Sequence, residues 1–249
     1  MEKTMNEELK HMIKSLRLKG LIKNWQRYLK LAGEKDFSHL EFLKYIIEEE
    51  YQLKQDTARH ARLKRAKIPE TLLMETFPFE KQPKLNKNKI LNLFDSGEYI
   101  EQHQNIIWIG PTGTGKTGLA TAFLIDSIEK GYKGFFITFP ELIDSLYRSV
   151  ADHSEEKIMR KYASYDCLLV DELGYVEMET TQVSLFFTLM AKRHKRKTTF
   201  ITSNLGFSQW DSFLKNNQLT AALIDRLTEK SHIISMKDCS SLRKKLNQV

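Results

Sequence analysis

Four features of this chain combine residue types that do chemistry. GPTGTGKT at 110–117 matches G-x-x-x-x-G-K-[ST], with Gly110, Gly115, Lys116 and Thr117 at the required places and Gly113 as an extra glycine. Without a β-carbon, backbone amides turn inward and approach phosphate oxygens, and the start of the next helix adds partial positive charge. The run therefore reads as a phosphate cradle made of Gly110, Pro111, Thr112, Gly113, Thr114, Gly115, Lys116 and Thr117. Lys116 would reach the β- and γ-phosphates of ATP, and Thr117 would place its hydroxyl on Mg²⁺. The second run, CLLVDE, is an apolar stretch ending in Asp171 and Glu172. A carboxylate at the end of a buried strand is costly unless it meets a cation or hydrogen bonds. Asp171 is read as holding the Mg²⁺ and its water shell, and Glu172 as the base that polarises attacking water. One strand–helix unit separates the two motifs, which predicts another strand between them in the sheet and room for a catalytic glutamate.

The third run, TTFITSN, ends in Ser203 and Asn204. An amide there can fix the water opposite Glu172 and sense the γ-phosphate, although asparagine after a strand is also a common turn residue. The fourth feature is a pair of arginines, Arg226 in LIDRL and Arg243 in SSLRKK. Phosphoryl transfer needs more positive charge than one lysine and one metal ion supply, and an arginine from a neighbouring subunit is one source. Spacing alone does not say which arginine acts that way.

These groups must be held by a fold, and the pattern after about residue 95 describes one. The apolar runs IIWI (106–109), FFIT (135–138), CLLV (167–170), TFIT (199–202) and HIISM (232–236) alternate with helical stretches. Strands buried on both faces read this way, so the expectation is an α/β fold with a five-stranded parallel sheet between helices. Residues 1–68 are poor in Gly and Pro and helical in period, with Leu9, Met12, Ile13 and Leu16 marking one apolar face. A second helix is announced by the capping-box spacing of Ser38 and Glu41 and the staple spacing of Phe37 and Phe42. The resulting division is a helical domain over 1–68, a linker over 69–94 carrying three of the five prolines, and an ATPase domain over 95–249.

Composition sets outer bounds. With 249 residues, 41% hydrophobic and 29% charged, this is an ordinary globular chain long enough for a sizeable core. Its net charge of +7 and isoelectric point near 9.2 point to a polyanion partner. Between Gln52 and Lys67 six basic residues, including Arg59, Arg62, Lys64 and Arg65, accompany one acid, Asp56. They suit either a helix C-terminus or a phosphate-binding stripe. Further basic stretches lie at 81–89 and 192–197. Cys167 and Cys239 form no paired metal spacing, the N-terminus is too polar for a secretory signal, and no apolar run reaches a membrane span. A soluble, cytoplasmic protein is expected.

In this order the pieces resemble the AAA+ ATPases, and more narrowly the IstB/DnaC-like branch, with the closer likeness to the IstB-like ATP-binding proteins. The likeness is carried by LRLKGLIKNW, FSHLEFLKYIIEEE, NIIWIGPTGTGKTGLA, LLVDELGY, ITSNLGFSQW and LTAALIDRL. It implies a helical N-terminal domain, an ATPase core and a short C-terminal lid. It also implies ATP and Mg²⁺ as cofactors and self-association on double-stranded DNA, with nucleotide between subunits. By family pattern Arg226 looks like the trans-acting arginine and Arg243 like a second sensor in cis. An inserted helical element of this branch contacts DNA and falls here around 140–165, offering Arg148, Lys157, Arg160 and Lys161. IstB-like proteins assist a transposase, whereas DnaC-like relatives load a replicative helicase. The chain departs from the family at Cys239, Ser241 and Leu242, where a glycine usually precedes the C-terminal arginine, and at Gly118, commonly histidine. A small-molecule kinase is the remaining class, and Glu172 beside Asp171 argues for water as the acceptor instead.

Overall fold

The computed structural model describes residues 5–34, 37–174 and 177–243. It divides into two compact units with the boundary between Ala61 and Arg62. The first holds α1 (Glu7–Ser15), α2 (Lys19–Lys23), α3 (Trp25–Glu34) and most of α4 (His39–Arg65). The start of α4 follows the expected chemistry. Ser38 N–H donates to Glu41 Oε2 at 2.9 Å, Glu41 N–H donates to Ser38 Oγ at 3.2 Å, and the Phe37 and Phe42 rings lie 6.0 Å apart. The expected apolar face of α1 is only partly realised. Ile13 is buried, but Met12 and Leu16 are exposed; the helix stops at Ser15, before Leu16, and Arg17 turns the chain with φ 58.

The buried centre of this unit is small and partly polar. Glu50 is 5% exposed, and its Oε2 accepts the Leu21 N–H at 2.9 Å in the first turn of α2. A β-carbon on Gly20 would lie 2.4 Å from that oxygen, so only glycine lets the carboxylate reach the helix.

The second unit contains the sheet. Strands β1 (Asn105–Ile109), β2 (Gly134–Thr138), β3 (Cys167–Leu173), β4 (Thr198–Ser203) and β5 (Ser231–Ser235) are all parallel, in the order β2-β3-β4-β1-β5. A strand does separate the phosphate-loop strand from the carboxylate strand, but it is β4 and not the intervening β2, which lies at the edge. Helices α5 (Lys87–Ser96), α6 (Glu98–Glu101), α7 (Lys116–Glu129), α8 (Phe139–Ala151), α9 (Glu155–Ser164), α10 (Thr180–Arg193), α11 (Asp211–Leu214) and α12 (Asn217–Thr228) complete the unit.

Alternation along the strands feeds two cores. Ile107, Ile109, Leu168, Val170 and Ile201 point into one, and Ile106, Trp108, Cys167, Leu169 and Phe200 into the other. Both faces being covered explains the unbroken apolar runs. The segment 69–94, expected to be a linker, places Met74, Phe77, Phe79, Leu85 and Ile90 in the second core.

The basic stretch 192–197 is only partly free at the surface. Arg193 is 1% exposed and donates to the Tyr162, Tyr165 and Thr198 carbonyls and to Thr199 Oγ1, at 2.9, 2.7, 2.5 and 3.0 Å. Lys195 pairs with Glu229 and Lys197 with Asp166, each at 2.5 Å. Three of its cations are thus accounted for by internal contacts.

Candidate active site

The phosphate loop runs from β1 into α7, with Gly113 at φ 82 and Gly115 at φ 98, a conformation that glycine adopts without strain. Lys116 Nζ donates to the Gly110 and Pro111 carbonyls at 2.7 and 2.8 Å, while Thr114 Oγ1 donates to the Pro111 carbonyl at 3.0 Å. Of the eight residues expected in the cradle, Thr112, Gly113, Gly115, Lys116 and Thr117 line a cavity of about 380 Å³. Gly110 and Pro111 instead lend the carbonyls that Lys116 meets, and Thr114 is buried against the Pro111 carbonyl. Gly118, at the second departure from the family, faces Leu72, whose side chain would lie 3.2 Å from a β-carbon there.

At the end of β3 stand the two carboxylates, of which Glu172 lines this cavity and Asp171 meets Thr117 directly. Asp171 is 5% exposed and accepts from Thr117 Oγ1 at 2.9 Å (Oδ1) and 3.2 Å (Oδ2) and from Thr202 Oγ1 at 2.5 Å. Burial pushes its carboxyl above the ordinary carboxylate range, with the Thr202 and Thr117 hydroxyls and Lys116 opposing the shift. Burial likewise pushes the Lys116 ammonium down, opposed by Asp171, while the Arg243 charge adds to the lowering. Both shifts have the same physical origin: charged groups held out of water.

Strict alternation would send neighbouring strand residues to opposite faces. Here the pairing of β3 with β4 slips between Val170 and Leu173, and Glu172 takes φ 61. A left-handed backbone at a residue with a β-carbon costs about 1–2 kcal/mol. That conformation is held by Glu172 N–H donating to Thr202 Oγ1 at 3.0 Å, and the exposed Glu172 side chain lines the cavity that Lys116 faces. A second cavity, of about 630 Å³, adjoins Asp171 and Glu172 and includes Lys67 and Lys161 in its wall.

Thr202 is the residue that sequence reasoning missed. One hydroxyl donates to Asp171 and accepts from the Glu172 backbone, so it sets both carboxylates at once. The signal was a hydroxyl in TTFITSN facing the same way as its neighbours' chemistry, but only strand pairing shows what it meets. Asn204 lines the cavity, and its Oδ1 is buried without a hydrogen-bond partner among the described residues. Arg243 also lines the cavity.

Arg226 does not. It sits on α12 with its guanidinium 4.2 Å from the centre of the Phe187 ring, and its Nη1 is buried without a hydrogen-bond partner among the described residues.

The other basic candidates lie elsewhere. Arg59, Arg62 and Arg65 recur every third residue near the end of α4, whereas Lys64 falls on a different face. Arg62 Nε donates to the Ile128 carbonyl at 3.3 Å. Arg148 pairs with Asp144 at 2.8 Å, Arg160 pairs with Glu156, Lys161 lies 4.9 Å from the Tyr162 ring centre, and Lys157 is exposed.

A phosphate loop on a central parallel strand, a buried aspartate on the threonine that ends that loop, and an acid beside it make up a P-loop α/β fold. The solved structures agree on the fold. AMPPCP-bound DnaA from Aquifex aeolicus superposes with a TM-score of 0.57 at 16% identity, covering 71% of this chain and 53% of that one. DnaI superposes with a TM-score of 0.53 at 19% identity, covering 60% and 84%. Residues 11–248 match the family described as IstB-like ATP binding protein, and the chain belongs to that family. Among its relatives is a protein of Geobacillus stearothermophilus, named as an ATP-binding protein of insertion sequence IS5376. It is 30% identical, over 94% of this chain and 92% of that one. The counterpart named for insertion sequence IS232 of Bacillus thuringiensis subsp. berliner is 29% identical over 94% and 93%.

Proposed function

We propose that this chain is a Mg²⁺-dependent ATPase that assembles with ATP on double-stranded DNA and assists a transposase. The observation carrying the ATPase part is convergence. The phosphate loop, Glu172, Asn204 and Arg243, widely separated in the chain, border one cavity. The hard oxygens of Thr117 and Asp171, already within hydrogen-bond distance, suit Mg²⁺. Among the described residues no cluster of three His, Cys, Asp or Glu side chains forms a cage, which fits an ion bound by few protein groups together with phosphates. When bound, Mg²⁺ neutralises charge on the β- and γ-phosphates. Lys116 holds the phosphates, Glu172 accepts a proton from the attacking water, and the Asn204 oxygen, without a partner among the described residues, orients that water. Arg226, whose Nη1 lacks an acceptor among the described residues, supplies charge to a neighbouring copy's γ-phosphate.

Membership in a family whose named relatives belong to insertion sequences favours transposition over helicase loading. DNA contact is assigned to Arg59, Arg62, Lys64 and Arg65 and to Arg148, Lys157, Arg160 and Lys161. The exposed pairs of Arg148 and Arg160 are each worth about 1 kcal/mol or less, so phosphate can displace their acids. Among the described residues no helix is long and apolar enough to cross a membrane.

The test is duplex-DNA binding and particle size with and without ATP and Mg²⁺. The expected result is tighter binding and a larger particle with nucleotide, with affinity falling steeply with salt. A monomer indifferent to DNA in saturating nucleotide overturns the proposal. Mixing Arg226→Ala with Lys116→Ala restores partial hydrolysis if Arg226 acts across subunits.

A further inference from the structure

Outside every motif, one buried side chain joins two segments 158 positions apart. Gln82 is 1% exposed. Its Nε2 donates to the Thr114 carbonyl of the phosphate loop at 3.1 Å and to the Ser240 carbonyl at 2.7 Å, and its Oε1 accepts the Ser240 N–H at 3.1 Å. Both amide protons are therefore used, the full donor set of a glutamine, and the carbonyl oxygen accepts as well. The two bonds to Ser240 grip its backbone, so the grip does not depend on the side chain at 240.

The gripped segment lies along the loop. Met236 N–H donates to the Ile109 carbonyl at 2.6 Å and Leu242 N–H to the Gly113 carbonyl at 2.8 Å. A β-carbon on Gly113 would lie 2.5 Å from Ser241 Oγ, so the approach requires glycine in the loop. Arg243 follows directly and lines the cavity together with Lys116.

We propose that Gln82 is a positioning residue that clasps segment 236–243 onto the phosphate loop and so delivers Arg243 to the bound nucleotide. The delivery part rests on the nucleotide reading given above; the clasp itself does not. Glutamine is required by reach and by polarity. Asparagine is one methylene too short to span loop and strap, and glutamate would turn a carboxylate toward two carbonyl oxygens.

The test uses the full chain and two variants, Gln82→Met, which keeps the volume, and Gln82→Glu, which reverses the polarity. The first readout needs no nucleotide: tryptic cleavage after the exposed Lys237, at matched melting temperature. Release of the strap makes cleavage about tenfold faster in both variants. Cleavage at the wild-type rate in either overturns the clasp.

The second readout is affinity for ATP with Mg²⁺, measured for Gln82→Met in the wild-type and the Arg243→Ala background. Acting through Arg243, the change weakens binding about tenfold in the first background and less than about twofold in the second. An equal loss in both backgrounds, or none in either, overturns the delivery. If the wild-type chain itself binds no ATP, the nucleotide reading falls and takes the delivery with it, while the cleavage assay still decides the clasp. If Gln82→Met melts early, Gln82→Glu carries both measurements.

Discussion

The two ends of the central sheet hold buried polar networks of opposite character. At the N-terminal ends of the strands, Arg193 spends its guanidinium on three carbonyls and a hydroxyl. Nearby, Asn105 Nδ2 donates to the Leu227 carbonyl at 3.0 Å, and its Oδ1 accepts the Thr199 N–H at 2.9 Å. At the C-terminal ends, Lys116, Thr117, Asp171 and Thr202 are bonded too, but Lys116, Thr117 and Thr202 border a cavity, and Asn204 there has an oxygen without a partner among the described residues. Both networks bury a cation, and burial lowers the pKa of each, that of Arg193 to about 10. The difference lies in unused bonding capacity. A closed network holds elements together; one that opens on a cavity is arranged for something else to complete it.

Substitutions can break that contrast. The largest effect is expected from Glu172→Gln, which keeps ATP binding but lowers hydrolysis about 10²–10⁴-fold, read as phosphate release at saturating ATP. Wild-type turnover in that variant removes Glu172 as the base. Next come the two cations. Arg193→Met leaves several buried acceptors unpaired at about 1–3 kcal/mol each, so the urea midpoint falls sharply or the protein fails to fold. Lys116→Ala lowers ATP affinity about 100-fold by calorimetry yet leaves the melting temperature at or above wild type. Equal destabilisation by both would erase the distinction between the ends.

Smaller is the effect of Thr202→Val, which removes one hydroxyl and preserves shape. Turnover falls about tenfold with little change in KM, and Thr202→Ser restores it. The smallest is a matter of pH. The raised pKa of Asp171 means that the folded state holds its proton more tightly than the unfolded chain does. Its neutral form contributes stability that is complete below the ordinary carboxylate value and is lost as pH rises through the folded value. Asp171→Asn stays neutral throughout, so in urea melts without nucleotide its advantage over wild type is absent near pH 4 and grows toward neutrality. An advantage that does not change with pH would place its origin outside the titration.

Much of this was readable along the chain because local rules governed it. All five strands were visible as apolar runs; for β1 to β4 the reason is a sheet covered on both faces, whereas β5 lies at the edge with Ile233 exposed. The capping box at Ser38 and the phosphate loop were visible because their bonds connect residues a few positions apart. Where the sequence misled, long-range placement decided the outcome. The prolines of 69–94 suggested a linker, yet Phe77 and Phe79 pack in the core. The basic stretch 192–197 suggested a polyanion surface, yet Arg193 is interior.

By itself, the sequence determined the strand–helix alternation, the phosphate loop and the presence of two acids side by side at the end of a strand, because each is written in the types of neighbouring residues. Only the tertiary structure decided that β4 separates the two motifs, that Thr202 sets both carboxylates, and that Gln82 meets Ser240. Those contacts join residues far apart in the chain, and a hydroxyl or an amide carries no local mark of the partner that packing will bring to it.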